Sequence, residues 1–119
     1  MPVKVLGVKY QLLAQDMDRA VAFYRDALGL ELRFTSPSGS EVALGEAVVA
    51  LHGGGDGSEH PTGLGFVVDD IHAATDALPA AGASLLSPPV HKVDEGVWLA
   101  DLVDPEGNTF FITQVAPQE

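Results

Sequence analysis

The sequence predicts an α+β fold: tandem βαβββ modules forming a curved mixed sheet cup, with the helices on the outside. Three observations predict it. A single order of patterns, strand then helix then three strands, occurs twice along the 119 residues. Each copy has one amphipathic helical stretch that opens on an aspartate and closes on a glycine. The other apolar runs are short, rich in β-formers and separated by turn residues. The first module with its linker spans 1–57 and the second 58–119, together the length of a single domain.

Residues 5–14 (VLGVKYQLLA) read as a strand. Asp16 offers a capping carboxylate, and Met17, Val21, Tyr24 and Leu28 then fall on one helical face, widened by Ala20 and Ala27. Gly29 is the expected left-handed stop. Strand-like runs follow at Leu30–Thr35, Glu41–Leu44 and Ala47–His52, parted by Ser36-Pro37-Ser38-Gly39 and by Gly45-Glu46. Gly53 to Ser58 reads as a flexible link. In the second copy Leu64–Val68 is a strand, and Asp70 caps a helix carrying Ile71, Ala74, Leu78 and Ala81 on its apolar face. Gly82 ends that helix, and Pro79 should shorten or kink it. Ala83–Ser87 is a strand that Pro88-Pro89 breaks, Gly96–Val103 is another, and Thr109–Val115 follows the turn Asp104-Pro105-Glu106-Gly107-Asn108.

Composition narrows the function. Six Lys and Arg stand against seventeen Asp and Glu, a net charge of −11, which repels phosphate backbones and anionic lipid. Neither a nucleic-acid nor a membrane partner is expected. No stretch reaches the roughly 20 apolar residues of a membrane span, and no signal peptide is evident, so a cytoplasmic location is expected. The chain has no cysteine, which removes disulfides and thiolate metal sites.

Asp16-Met-Asp-Arg-Ala-Val-Ala-Phe-Tyr24 with Ala27-Leu-Gly-Leu30 resembles the first-helix motif of the vicinal oxygen chelate superfamily. That superfamily includes glyoxalase I, bleomycin-resistance proteins, extradiol dioxygenases and fosfomycin-resistance enzymes. Val67-Val-Asp-Asp-Ile71 resembles the second-half counterpart, and Asp104-Pro-Glu-Gly-Asn108 the turn before the last strand. The resemblance runs from about Gly7 to Gln114 and is specific for the fold rather than for a chemistry. It implies four places inside the cup where His, Gln or Glu side chains would hold a divalent metal. Counted from the motifs, they fall on Lys9, about Ala50, Gly63 and Phe111. An ammonium, a methyl, a hydrogen and a phenyl ring offer no lone pair, so no metal and no cofactor are expected. A register slip of one or two would bring in Gln11 or His52, and His60 from a loop, but no carboxylate.

The same places, with strand alternation, fix what would line the cup. Lys9, Gln11 and Leu13 face inward, as do Val48, Ala50 and His52, then Gly63, Gly65 and Val67, and Thr109, Phe111 and Thr113. The family's parity selects Leu99, Asp101 and Val103, and turns Trp98 to the helix side or to a partner subunit. The expected ligand-binding set is Lys9, Gln11, His52, Gly63, Gly65, Leu99, Asp101, Thr109, Phe111 and Thr113. The glycines would let a flat ring reach the backbone, and Phe111 would offer a stacking surface. Plainer roles stay open: Lys9 solvated at a strand start or paired with Asp101, His52 at a surface strand end, Phe111 as core filling. His60, His72 and His91 read as loop or surface residues.

Three functions compete. The first is a metal-free binding protein that sequesters an aromatic or polycyclic small molecule, as the bleomycin-resistance branch does in antibiotic resistance. The second is a metal-free enzyme with Asp101 or His52 as general base. The third is a metal-dependent lyase or dioxygenase of this fold with shifted ligands. The resemblance also implies a homodimer.

Overall fold

The structure, a computed structural model, describes residues 2–116. The chain divides into two compact units, the first ending at Asp56 and the second beginning at Gly57. No helix among the described residues is long and apolar enough to cross a membrane.

The first unit runs β1 (Lys9–Ala14), α1 (Met17–Ala22), β2 (Glu31–Thr35), β3 (Gly39–Leu44) and β4 (Ala47–Gly53). Its sheet order is β1-β4-β3-β2. β1 lies parallel to β4 while the other pairs are antiparallel, so the chain needs the helical crossover to reach the far edge of the sheet. The Asp16 carboxylate accepts from the Arg19 N–H at 3.1 Å and starts α1. After one and a half turns the helix widens into a π turn over Phe23–Ala27 instead of continuing as α-helix to Gly29. Leu12, Ala14, Val42, Val49 and Leu51 are buried on the helix side of the sheet, and α1 brings Ala20 and Val21.

The second unit repeats the order as β5 (Gly65–Val67), α2 (Ile71–Ala77), β6 (Ser84–Lys92), β7 (Val97–Val103) and β8 (Thr109–Val115). Its sheet order is β5-β8-β7-β6, again with the first strand parallel to the last. Asp70 caps α2 by accepting from the Ala73 N–H at 3.0 Å, and the Gln114 side-chain oxygen accepts from the Ile71 N–H at 2.7 Å. Pro79 sits at the start of a 3₁₀ turn over Leu78–Ala81, where its missing N–H costs little, and Gly82 closes it at φ 107°.

Three expectations are corrected. β1 begins at Lys9, not at residue 5, because Lys9 already pairs with Val48 and β4 itself begins at Ala47. The Gly45-Glu46 turn leaves the preceding residues no strand to pair with. β6 does not break at Pro88-Pro89 but continues to Lys92; it is an edge strand, and the register shifts between Leu85 and Ser87 and between Ser87 and Val90 absorb the prolines. The glycine run after β4 is tied to β1, with the Gly55 N–H donating to the Ala14 carbonyl at 3.1 Å.

The Asp104–Asn108 turn organises the end of the second unit. Asp104 is 4% exposed. Its carboxylate accepts from the N–H groups of Glu106 and Asn108 at 2.8 and 2.9 Å and from the Asn108 side-chain amide at 2.8 Å. The Gly107 carbonyl accepts from the His60 N–H at 2.9 Å, binding the entry loop of the unit to the turn.

Candidate functional site

Each sheet has a face turned away from its helix, and strand pairing fixes which side chains share it. In the first unit one row crosses all four strands: Phe34 of β2 opposite Glu41 of β3, Glu41 opposite Ala50 of β4, and Ala50 opposite Gln11 of β1. Lys9 and His52 flank this row, opposite Val48 and Leu13 respectively. Ala50 is the low point, and the Lys9 ammonium reaches across it to the Glu41 carboxylate at 2.7 Å. Lys9 therefore has its anion within its own unit. The pair is well solvated, at 63% and 29% side-chain exposure, so its contribution to stability is small, about 0–1 kcal/mol. His52 is exposed at the strand end, with Nδ1 2.8 Å from the Gly53 carbonyl oxygen.

The second unit presents the matching row: Ser87 of β6, Asp101 of β7, Phe111 of β8 and Gly65 of β5. Leu99, Thr113 and Val67 form the next row along. The Phe111 ring lies directly over Gly65 and fills the volume in which a Cβ would stand. The flat ring that reaches the backbone here is the protein's own. Thr109 is committed to structure: its hydroxyl accepts from the Thr62 N–H at 3.1 Å, and its carbonyl accepts from the Thr62 hydroxyl. Gly63 lies in the loop before β5. Trp98 points to the helix side, stacked on His91 at 4.9 Å and met edge-on by His72 of α2 at 5.2 Å.

Superposing the two orders exposes residues that the sequence reading missed. Glu41 holds in the first unit the place that Asp101 holds in the second, one strand in from the edge and opposite the last strand of its module. Phe34 is likewise the counterpart of Ser87, and at 54% exposure it is an uncovered aromatic wall. The signal was present in the repeat: the parity that selects Asp101, carried to the first copy, selects Glu41. Remote from both rows, Arg25 donates two hydrogen bonds to Asp26 and holds that carboxyl below its ordinary range.

The donor set does not fit a divalent cation bound in the superfamily's manner. Of the four implied places, Lys9 carries a cation already engaged by Glu41, Ala50 and Gly63 have no donor atom, and Phe111 is packed over Gly65. Among the described residues no group of three or more His, Cys, Asp or Glu side chains converges to hold a metal.

Comparison with known proteins agrees with this architecture. Residues 8–112 match the model of the Glyoxalase/Bleomycin resistance protein/Dioxygenase superfamily, and the chain belongs to that superfamily. It is 31% identical over a 107-residue alignment to a lactoylglutathione lyase of Haemophilus influenzae, covering 77% of this chain and 79% of the relative. A superfamily member from Sphaerobacter thermophilus superposes with a TM-score of 0.75 at 25% identity, over 93% of this chain and 98% of its own. A family enzyme from Burkholderia phytofirmans gives a TM-score of 0.75 at 22% identity, over 90% and 96%.

Proposed function

We propose that this chain is a small-molecule binding member of its superfamily, which sequesters an aromatic or polycyclic compound without a metal held in the superfamily's manner. The observation that carries the reading is the chemistry at the four implied metal places: Lys9, Ala50, Gly63 and Phe111 cannot donate to a divalent cation through their side chains. What the two sheets offer instead suits an organic ligand, namely apolar surface with a few polar groups. The first contributes Phe34, Ala50, Gln11, Glu41 and His52, and the second Leu99, Phe111, Asp101 and Thr113. The reading includes a homodimer, an arrangement common in the superfamily.

A thermal-shift screen of aromatic natural products and drugs tests it. A binder at a hundredfold excess over its Kd stabilises the fold by about 2.7 kcal/mol. At least one such compound should raise the melting temperature, and Asp101→Asn or Glu41→Gln should reduce that shift. A broad screen without a hit defeats the reading.

The identity to a lactoylglutathione lyase favours a second reading, a lyase with its ligands displaced to neighbouring positions. Turnover of lactoylglutathione by protein purified without chelator, lost on His52→Ala together with a stoichiometric divalent metal, would establish it. If turnover occurs without metal and both Asp101→Asn and His52→Ala keep full rate, neither residue is a general base.

A further inference from the structure

The two copies of the module carry a carboxylate at the same place, and only one of the two has a counterion. In the first unit Glu41 stands between Phe34 and Ala50, and the Lys9 ammonium meets its carboxylate at 2.7 Å. In the second unit Asp101 stands between Ser87 and Phe111. Gln11 and Gly65 hold equivalent places, opposite Ala50 and Phe111. The residue two positions earlier is Lys9 in one copy and Gly63 in the other, so the second copy has no side chain where the first has its ammonium. Among the described residues no hydrogen bond or ion pair reaches the Asp101 carboxylate. The second unit is also poor in cations. Residues 57–119 hold one Lys, no Arg and ten Asp and Glu, a net −9, against five basic and seven acidic residues in 1–56, a net −2. The lone Lys92 pairs with Val97, which is four residues along β7 from Asp101, about 13 Å at 3.3 Å per residue.

We propose that the small molecule bound by this protein carries a protonated aliphatic amine beside its aromatic ring, and that Asp101 is the residue that selects it. This rests on the binding reading above and adds the charge of the ligand to it. Asp101 lies between the buried Ala100 and Leu102 and so points to the open face of its sheet, half-exposed. Phe111, directly opposite on β8, turns the same way between the buried Phe110 and Ile112; its ring lies over Gly65 and stays partly exposed. A carboxylate with an aromatic ring across the strand is a receptor for an ammonium. The carboxylate supplies charge and a charge-assisted hydrogen bond, and the ring adds the attraction of its quadrupole. The Ser87 hydroxyl, on the other side of Asp101, is a further acceptor for a group with three protons to donate. The first copy shows the preference of such a carboxylate, since an ammonium already sits on it. The second copy takes from solution the group that the first supplies itself.

Tryptamine, tryptophol and indole-3-acetate share one ring system and differ in an ammonium, a hydroxyl and a carboxylate, and together they test the proposal. Each is titrated into the full ¹⁵N-labelled chain and followed by amide chemical shifts. Tryptamine should bind at least tenfold more tightly than tryptophol, and indole-3-acetate more weakly than either, with the largest shifts at Asp101 and Phe111. Asp101→Asn should bring tryptamine down to the affinity of tryptophol. It should leave tryptophol binding unchanged, which also shows that the variant is folded. Asp76→Asn, which removes a charge from the exposed surface of α2 in the same unit, should keep the preference for tryptamine. Equal binding of tryptamine and tryptophol would overturn the proposal while the aromatic-binding reading stands. A preference that survives Asp101→Asn, or that Asp76→Asn erases equally, would belong to the net charge of the protein and overturn the proposal as well. So would the absence of tryptamine binding up to millimolar concentration, whereas the wider reading falls only if the broad screen is also empty.

Discussion

At the scale of single residues, Gly65 and Phe111 act as one unit across the β5–β8 ladder. The ring occupies the space of the missing Cβ, so the glycine is required by a close approach and not by a turn. Gly65→Ala should therefore cost about 1–3 kcal/mol through displacement of the ring. Phe111→Ala should remove most of that penalty when combined with it. A double-mutant cycle by urea denaturation would measure the coupling; additive costs would show that the ring does not depend on the glycine. Asp104 poses a different problem. Its carboxylate serves two backbone N–H groups and one side-chain amide inside a buried turn. Asp104→Ala leaves these donors unsatisfied where water does not replace the acceptor, so a loss of roughly 2–4 kcal/mol is expected from chemical denaturation, with Asp104→Asn intermediate.

At the scale of elements, what the sequence made legible was local. Asp16 and Asp70 stand at the starts of α1 and α2 and cap them through their side chains, since a cap needs only residues three apart. Asp16→Ala and Asp70→Ala should each lower stability by about 1 kcal/mol, and with both caps of one kind the two losses should be similar. A thermal melt that ignores either change would show that the corresponding helix is held by packing alone. Strand parity was legible for the same reason, because alternation is a property of the strand itself: Lys9 and Gln11 do lie on the face opposite Leu12 and Ala14. The extent of a strand is set by its neighbour, which no local pattern reveals. Val3 to Val8 has the composition of a strand but lies beyond the turn at which β4 begins, while Pro88 and Pro89 have the composition of a break but lie on an edge. Glu41 escaped the sequence reading for a related reason: its place is defined by what it pairs with, Phe34 on one side and Ala50 on the other.

At the scale of the whole molecule, the repeat writes each position twice, and this gives the metal question a sharp form. The donor places that the resemblance implies fall in corresponding pairs, Lys9 with Gly63 and Ala50 with Phe111, and in neither unit do these side chains suit a divalent cation. A single unfavourable residue could be bypassed by a water or a neighbouring side chain. The same shortfall in both copies leaves His52 as the only imidazole on β1, β4, β5 and β8, exposed at a strand end. A protein that relied on a bound divalent ion would owe it stability: at a thousandfold excess over Kd the ion contributes about 4.1 kcal/mol. For a domain of this size such a contribution corresponds to roughly ten degrees or more in melting temperature. The expectation here is the opposite. Protein purified without chelator should melt at the same temperature before and after dialysis against EDTA, and again after addition of Zn²⁺, Ni²⁺ or Mn²⁺, with elemental analysis well below one metal per chain. A drop of several degrees on chelation, restored by one of these ions, would mean that the sheets assemble a cation site from side chains other than the four the repeat sets out, and the search for them would start at Gln11, Glu41 and His52.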